Sequence, residues 1–535
     1  MNHLLCGLAA NPALPVHLTS RLLDLALEAG ARADAATGPE PSRDFPDELI
    51  CGLADRSDLG RAQVRALAAH DEATAVRLAY GGTLTAADID PAVRPFAAVA
   101  LLDERRGLPE WAFLLSASPD PFVRRKLACC PALPPDAADA LAADPDLEVV
   151  TELALWTTDP AVAARLARHP HAEVRSAAAC NEAVPPAALA ALITGDGLPP
   201  AASCLVCDTK DVPFVHDPYC PDVDCELRAG AACDGSHAST VHEIRQRALR
   251  NPATPPEAAT SHADTPWMLL RWALAERSDL PQEVYALLAR DPMPGVRGTV
   301  AENPAIGEEL IRIFAAEATP PERRALAHHP RIPLDVLVTL ARTTKTGPVL
   351  LPRIAAATAE ELVELAGSAH ASVRMLVAER RDLPDGVRDA LAADPDAAVV
   401  KAIAPHPGLS EGQLRGMLAR HGVPVHARVA ANPDAPGALL AELARHEPPV
   451  RRALRAIAGH PNATSEALVP CLADRRARCE AAAHPALAVP VLLGLLDDAD
   501  EELARAAAGN PSLPRSVMED LVGRYPEPGV TRPVS

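Results

Sequence analysis

Apolar residues recur along this chain at helical spacing, within units of about 26 residues that end in Asn, His or Arg, usually followed by Pro. In the unit from Asp291 to Ile306, Val296 and Val300 share one helical face, with the small Ala301 beside them. We expect Asp291 to cap this helix and the Asn303–Pro304 step to end it, because the residue before a proline disfavours the α conformation.

A second helix is predicted after each such end, which we call an anchor. After the Arg380 anchor, for example, Leu383, Val387 and Leu391 recur at intervals that place them on one face. A fixed period of this size is typical of a solenoid. The sequence therefore predicts an all-α fold, a right-handed α-solenoid of about 18 two-helix repeats. The clearest anchors are Asn251, Arg277, Asn303, His329, Arg380, His406, Asn432, His460, His484 and Asn510.

The repeat resembles that of the leucine-rich repeat variant proteins, in the run from Leu287 to Pro292, in Val296–Arg297 and in Asn303–Pro304. The resemblance covers nearly the whole chain and implies a superhelix related in shape to HEAT-type solenoids. Members of that family with a cysteine-rich N-terminal segment are thought to carry an iron–sulfur cluster. Here the period is longer than the family's, and the cysteine-rich segment lies inside the array.

The period also suggests how the chain divides. Solenoid repeats are predicted over residues 1–194 and 241–525, with a cysteine-rich insertion over 195–240 and a disordered tail over 526–535. Repeats grow by stacking, so 535 residues need no separate globular cores.

The charge balance narrows the class of partner. A net charge of −20 argues against nucleic acid, because phosphate contacts require a basic surface. No apolar run is long enough to span a membrane, so we expect a cytoplasmic protein with reduced thiols and no membrane partner. The Ala, Arg and Pro bias, with few lysines, suggests a bacterial genome of high GC content.

The insertion carries the metal chemistry. Cys204 and Cys207 form a CxxC pair, and Cys220 and Cys225 follow as a looser pair. Four thiolates on short turns can surround a tetrahedral ion, so zinc at these residues is the prediction. An iron–sulfur cluster, thiols without a metal, or disulfides are the alternatives. Cysteines in the repeat helices, such as Cys130, Cys180 and Cys471, are predicted to be small core residues.

Cys233 begins a second motif in the insertion. Residues 233–237, Cys-Asp-Gly-Ser-His, match the pentapeptide of the CDGSH iron–sulfur proteins, but Asp222 and Asp224 stand where that family has two further cysteines. We interpret the match as coincidence, with Cys233 or His237 as a substitute ligand of a zinc site.

An arginine recurs six residues before many anchors, and we call this row the arginine ladder. It either pairs with acidic residues or helix C-termini of the array, or lines a groove for an acidic partner. Its members are Arg124, Arg175, Arg245, Arg271, Arg297, Arg323, Arg374 and Arg478.

No catalytic constellation stands out from the repeats, so the sequence predicts a non-enzymatic scaffold or adaptor for protein–protein interaction, with a structural metal site. The alternative is a redox- or metal-responsive regulator, in which the insertion carries an iron–sulfur cluster or labile zinc.

Overall fold

A computed structural model of the protein describes residues 2–35, 44–205, 207 and 237–524. Within these ranges the regular structure is helical, with 35 α-helices and two short 3₁₀-helices. No β-strand occurs in this part of the chain, which contains one isolated parallel bridge between His171 and Ser203. The predicted all-α class is confirmed.

The chain forms two compact units. One, the central unit, consists of Thr85–Gly347 with Leu351–Ala356. Its 3₁₀-helix is Ala86–Asp88. Its α-helices are Pro95–Asp103, Glu110–Ser116, Pro121–Ala128, Pro135–Ala142, Leu147–Trp156, Pro160–Leu166, Ala172–Cys180, Pro186–Thr194, Ala238–Arg250, Pro256–Thr260, Met268–Glu276, Gln282–Leu288, Pro294–Glu302, Glu308–Glu317, Pro320–Ala327, Leu334–Thr343 and Pro352–Ala355.

The other, the terminal unit, combines both ends of the chain: Met1–Leu84, Pro348–Leu350 and Ala357–Ser535. Its 3₁₀-helix is Val469–Ala473. Its α-helices are Asn2–Ala10, Val16–Ala35, Asp44–Ala54, Arg61–His70, Glu72–Tyr80, Ala359–Ala366, Ala371–Ala378, Asp385–Ala392, Ala397–Ile403, Glu411–His421, Val423–Ala430, Gly437–Ala444, Arg451–Ala458, Ser465–Leu468, Arg478–Ala483, Val489–Leu495, Glu501–Ala508 and Arg515–Gly523.

These compact units do not follow the order of the predicted domains, whose boundaries remain a prediction. The predicted disordered tail, residues 526–535, lies outside the described residues.

Helices two apart in the sequence pack on one another. Leu147–Trp156 contacts both Pro121–Ala128 before it and Ala172–Cys180 after it. Val149, Leu153 and the small Ala154 are fully buried at this packing. These helices therefore bury their apolar faces against the helices two positions before and after them.

The anchors join each repeat to the one before it. The Asn303 side chain donates from Nδ2 to the carbonyls of Ala275 (2.7 Å) and Arg277, and its Oδ1 accepts from the Ala305 N–H at 2.9 Å. His329 works in the same way. Its Nε2 lies 2.8 Å from the carbonyl of Asn303, which can only accept, and its Nδ1 accepts from the Arg331 N–H at 3.1 Å.

The arginine anchors use the same contacts. Arg277 donates from Nη1 to the carbonyls of Leu249 (2.8 Å) and Asn251 (3.1 Å), and its Nε and Nη2 bond to Asp279. Asn, His and Arg can replace one another here because each donates an N–H to the backbone of the preceding repeat.

The same chemistry joins the two ends of the chain inside the terminal unit. Asn11 donates from Nδ2 to the carbonyls of Ala508 (3.0 Å) and Asn510 (2.7 Å), and helix Asn2–Ala10 packs on Glu501–Ala508. A Cβ at Gly7 would lie 2.2 Å from the Arg505 carbonyl oxygen, so only glycine permits this approach. The N-terminal segment thus takes the place of a repeat that follows the last one.

One predicted helix start is wrong. The helix of the Asp291 unit begins at Pro294, with Met293 as its N-cap, and ends at Asn303 as predicted. The Asp291 carboxylate accepts from the Met293 N–H at 2.8 Å and is also bound by Arg271, at 2.6 Å. The carboxylate therefore stabilises a turn just before the helix and forms an ion pair with Arg271, instead of capping the helix.

Candidate metal centre

The insertion leaves the array beside a helix start. Helix Pro186–Thr194 ends at Gly195, whose φ of 81° suits glycine. The chain then returns to the N-terminus of helix Ala172–Cys180, where the Ala202 N–H donates to Pro170 (2.8 Å) and the Ala172 N–H donates to Ser203 (2.9 Å). These backbone hydrogen bonds fix the position of the next residue, Cys204.

Arg175 binds the backbone of the segment that returns to this helix. Its Nη1 donates to the carbonyl of Pro199 at 2.8 Å, and its Nε donates to the carbonyl of His169 at 2.5 Å. Burial, with a smaller effect of the Arg168 charge, lowers the pKa of Arg175 below its usual value.

The insertion rejoins the array at His237. This residue is the N-cap of helix Ala238–Arg250 and has a left-handed backbone, with φ 53° and ψ 28°. The helix that it begins packs directly on Ala172–Cys180. Asn251 then donates from Nδ2 to the carbonyls of Ala179 (3.0 Å) and Asn181 (2.9 Å). The helices before and after the insertion therefore pack on one another directly, as neighbouring repeats do elsewhere in the chain.

Three potential ligands meet where the insertion begins and ends. The Sγ atoms of Cys204 and Cys207 are 3.6 Å apart, and Cys207 Sγ is 3.6 Å from His237 Nδ1. All three ligand atoms lie within 4.8 Å of one another. Cys204 and His237 are buried, with 1% and 5% of their surface exposed, and Cys207 is half-buried.

These distances suit a shared tetrahedral ion. Zinc–sulfur and zinc–nitrogen bonds of about 2.3 and 2.0 Å place two sulfurs about 3.8 Å apart, and a sulfur and a nitrogen about 3.6 Å apart. A disulfide would instead require about 2.05 Å between the sulfurs. Cys204 and Cys207 are therefore not joined by a disulfide. The three side chains could therefore supply three of the four ligands of a zinc or iron ion.

Of the predicted ligand set, the structure brings together Cys204, Cys207 and the substitute ligand His237. The predicted ligands Cys220 and Cys225, and the substitute Cys233, lie outside the described residues. Sequence spacing alone could not rank His237 above the cysteines, because it does not show that the two ends of the insertion meet.

A side-chain hydrogen bond joins the two packed helices near their N-termini. The Thr240 hydroxyl donates to Glu173 Oε1 at 3.4 Å, and both residues lie in the first turn of their helices. Burial, assisted by the charge of Glu243, raises the pKa of Glu173.

The helix cysteines differ from those of the centre. Burial raises the pKa of Cys130 and of Cys471 to about 12, so both thiols stay protonated, as predicted for core residues. The prediction is wrong for Cys180, which is exposed at the end of its helix.

The arginine ladder makes ion pairs with the following repeat at five of its eight positions. Arg124, Arg271 and Arg374 each pair through Nε with an aspartate 20 residues later, at 2.6 to 2.7 Å. Those aspartates have 2–4% of their side chains exposed. Arg297 pairs with Glu322 and Arg478 with Asp500.

The other three ladder arginines do not pair in this way. Arg175 donates to the backbone carbonyls of His169 and of Pro199, of which only Pro199 belongs to the insertion. Arg245 and Arg323 have no carboxylate within 4.0 Å among the described residues.

No protein-family model matches this chain, and no curated protein shows significant similarity to it. Among the described residues, no helix has both the length and the apolar character needed to cross a membrane.

Proposed function

We propose that the protein is a non-enzymatic helical-repeat scaffold that binds another protein, and that a structural zinc ion joins the two ends of its insertion. The observation that carries the proposal is the meeting of Cys204, Cys207 and His237. The first two residues lie at the start of the insertion and the third at its end.

The position of the cluster favours a structural role. Residues 208–236 lie between Cys207 and His237, so one shared ion would close a long loop at its base. Closing a long loop removes more chain entropy than closing a short one, and the ion supplies that constraint without a hydrophobic core. The repeats on either side are joined by Asn251 and do not need the ion to stack.

The repeat arrangement supports the scaffold part of the proposal. Anchor side chains bond to carbonyls 24–28 residues earlier at successive positions, including Asn181, Asn303, Asn432 and Asn510. This regularity is what a right-handed solenoid of about 18 repeats, similar to the leucine-rich repeat variant proteins, requires. Such arrays offer long surfaces to protein partners.

The alternative function, a redox- or metal-responsive regulator, is favoured by one observation. Cys207 is only half-buried, so solvent or an oxidant can reach one of the three ligands. Colour separates the two functions, because an iron–sulfur cluster absorbs visible light and zinc does not.

The test is metal analysis of protein purified without oxygen. We expect a colourless wild type with one zinc per chain, and loss of zinc in Cys204→Ser and His237→Ala. Cys180→Ser removes an exposed thiol outside the cluster and should retain full zinc. Limited proteolysis should cut the ligand variants within residues 195–240, while the helices on either side stay intact.

A brown wild type with iron would support the regulator. Full zinc in both ligand variants would contradict the assignment of these residues.

A further inference from the structure

A groove of about 770 Å³ in the terminal unit is lined by positive charge. We call it the basic groove, defined by Lys401, Arg428, Arg451 and Arg452, which come from three helices. Lys401 is half-buried and the three arginines are exposed. Four cations in one groove are unexpected in a chain whose net charge is −20.

The four groove cations have no carboxylate within 4.0 Å among the described residues. Neighbouring arginines do have one, as Arg415 does in Glu442 and Arg455 in Asp474. The charge of Arg428 reaches Glu379, but burial outweighs it and raises the pKa of that carboxyl. The groove cations are therefore available to a ligand.

Two of these cations do not serve the stability of their own helix. Arg451 and Arg452 occupy the first turn of helix Arg451–Ala458, which has no acidic residue there and no side-chain cap. The free N–H groups of a helix N-terminus already form a positive pole, so cations at this end are unfavourable. Together they strengthen the positive field over the groove.

The repeats that form the groove also lack the ladder. Six residues before the His406, Asn432 and His460 anchors stand Val400, His426 and Leu454, where other repeats have arginine. Instead of a ladder arginine bound to its carboxylate, these repeats present cations at other positions.

The floor of the groove is apolar. Val423, Pro424, Ala427, Ala431 and Val450 line it, and 48% of Val423 is exposed. No aromatic residue lines the groove, so it has no surface on which nucleic-acid bases could stack.

We infer that the basic groove binds an extended acidic segment of a partner protein, with carboxylates at the four cations and an apolar side chain over Val423. This inference rests on the proposed scaffold function and adds the chemistry of the partner. At physiological salt, charges are screened beyond about 8 Å, so the local cations outweigh the distant negative charge of the chain.

The experiment measures fluorescence anisotropy of a short labelled peptide in which glutamates alternate with leucines. The control peptide has glutamine at every glutamate. We expect the full-length protein to bind the acidic peptide and to lose affinity as salt increases, and to bind the glutamine peptide at least about tenfold more weakly.

Two triple variants remove the same number of positive charges, one from the basic groove and the other from surface positions outside it. Arg428→Gln/Arg451→Gln/Arg452→Gln should weaken peptide binding about tenfold, as expected when three exposed charge pairs are lost. Arg165→Gln/Arg415→Gln/Arg515→Gln removes exposed, paired arginines elsewhere and should change affinity less than about twofold. Circular dichroism establishes that both variants are folded.

Several outcomes would overturn the inference. They are equal binding of the two peptides, equal losses in the two triple variants, tighter binding of a single-stranded oligonucleotide that displaces the peptide, or a salt-sensitive dimer that the groove variant abolishes. If a protein partner binds the groove variant normally, the groove inference fails while the scaffold function stands.

Discussion

The arginine ladder and the basic groove are both rows of cations on successive repeats, yet they differ in what surrounds them. In the ladder, Arg374 is held at 2.6 Å by Asp394, a carboxylate with only 4% of its side chain exposed. In the groove, Arg452 is exposed and has no such partner among the described residues. The comparison indicates that burial and pairing, rather than residue type, separate a cation that stabilises the fold from one that can bind a ligand.

The largest expected effect is on stability, at the ladder. Arg374→Ala leaves the buried Asp394 carboxylate without its ion-pair partner, which should cost about 3 kcal/mol in the free energy of unfolding. Urea denaturation checks this value. The matched control is Arg312→Ala, which breaks exposed pairs with Glu308 and Asp335 and should destabilise the protein far less than Arg374→Ala does.

The pH dependence of that loss is a second check on the same variant. In the wild type, burial acts to raise the pKa of Asp394, but bonds from Arg374 and the Asp396 N–H, with the Arg374 charge, outweigh it and leave the pKa low. Without Arg374 the pKa should rise. In the variant, the ionised Asp394 carboxylate destabilises the folded state at pH values above that raised pKa. This destabilisation disappears as the pH falls through the raised pKa, because the carboxyl then takes up a proton. Equal losses at pH 7 and at about pH 4 would contradict a ladder role based on charge.

An intermediate effect is expected at the anchors of the repeats that lack the ladder. Burial, assisted by Arg381 and Arg388, lowers the pKa of His406 from 6.5 to about 4. The unfolded chain therefore takes up a proton between these values while the folded chain does not, so stability should fall as the pH decreases from 6.5 to about 4.

Substitution of this anchor tests the assignment. His406→Asn keeps a donor for the Ala378 carbonyl and should reduce the acid sensitivity. Asn432→His, at the next anchor, should increase it. Thermal melts across this pH range measure both, and unchanged pH profiles would show that the anchors do not control acid stability.

The smallest expected effect on stability is in the groove. Arg452→Ala removes an exposed, unpaired cation from a helix N-terminus and should change the free energy of unfolding by less than about 0.5 kcal/mol. A loss of unfolding free energy as large as that of Arg374→Ala would show that the groove cations stabilise the fold as much as the ladder arginines do.

The sequence determined the all-α class, many helix ends and the CxxC pair of the candidate metal centre, for local reasons. A proline ends or starts a helix whatever its surroundings, so the end at Asn303 followed from residues beside it. The CxxC pair likewise lies within four residues. The predicted helix start at Asp291 was wrong because a carboxylate can either cap a helix or pair with an arginine. The arginine that it pairs with, Arg271, lies 20 residues earlier in the chain, so nothing beside Asp291 indicated the pairing.

Only the tertiary structure decided which distant groups meet. It placed His237 beside Cys207, which lies 30 residues earlier in the sequence. It also joined Asn11 to Asn510 and collected the groove cations from three helices. Periodicity specifies which face of each helix is buried. It does not specify where an insertion returns, where the two ends of the chain meet, or which charges lack a partner, because those depend on packing between residues far apart in the chain.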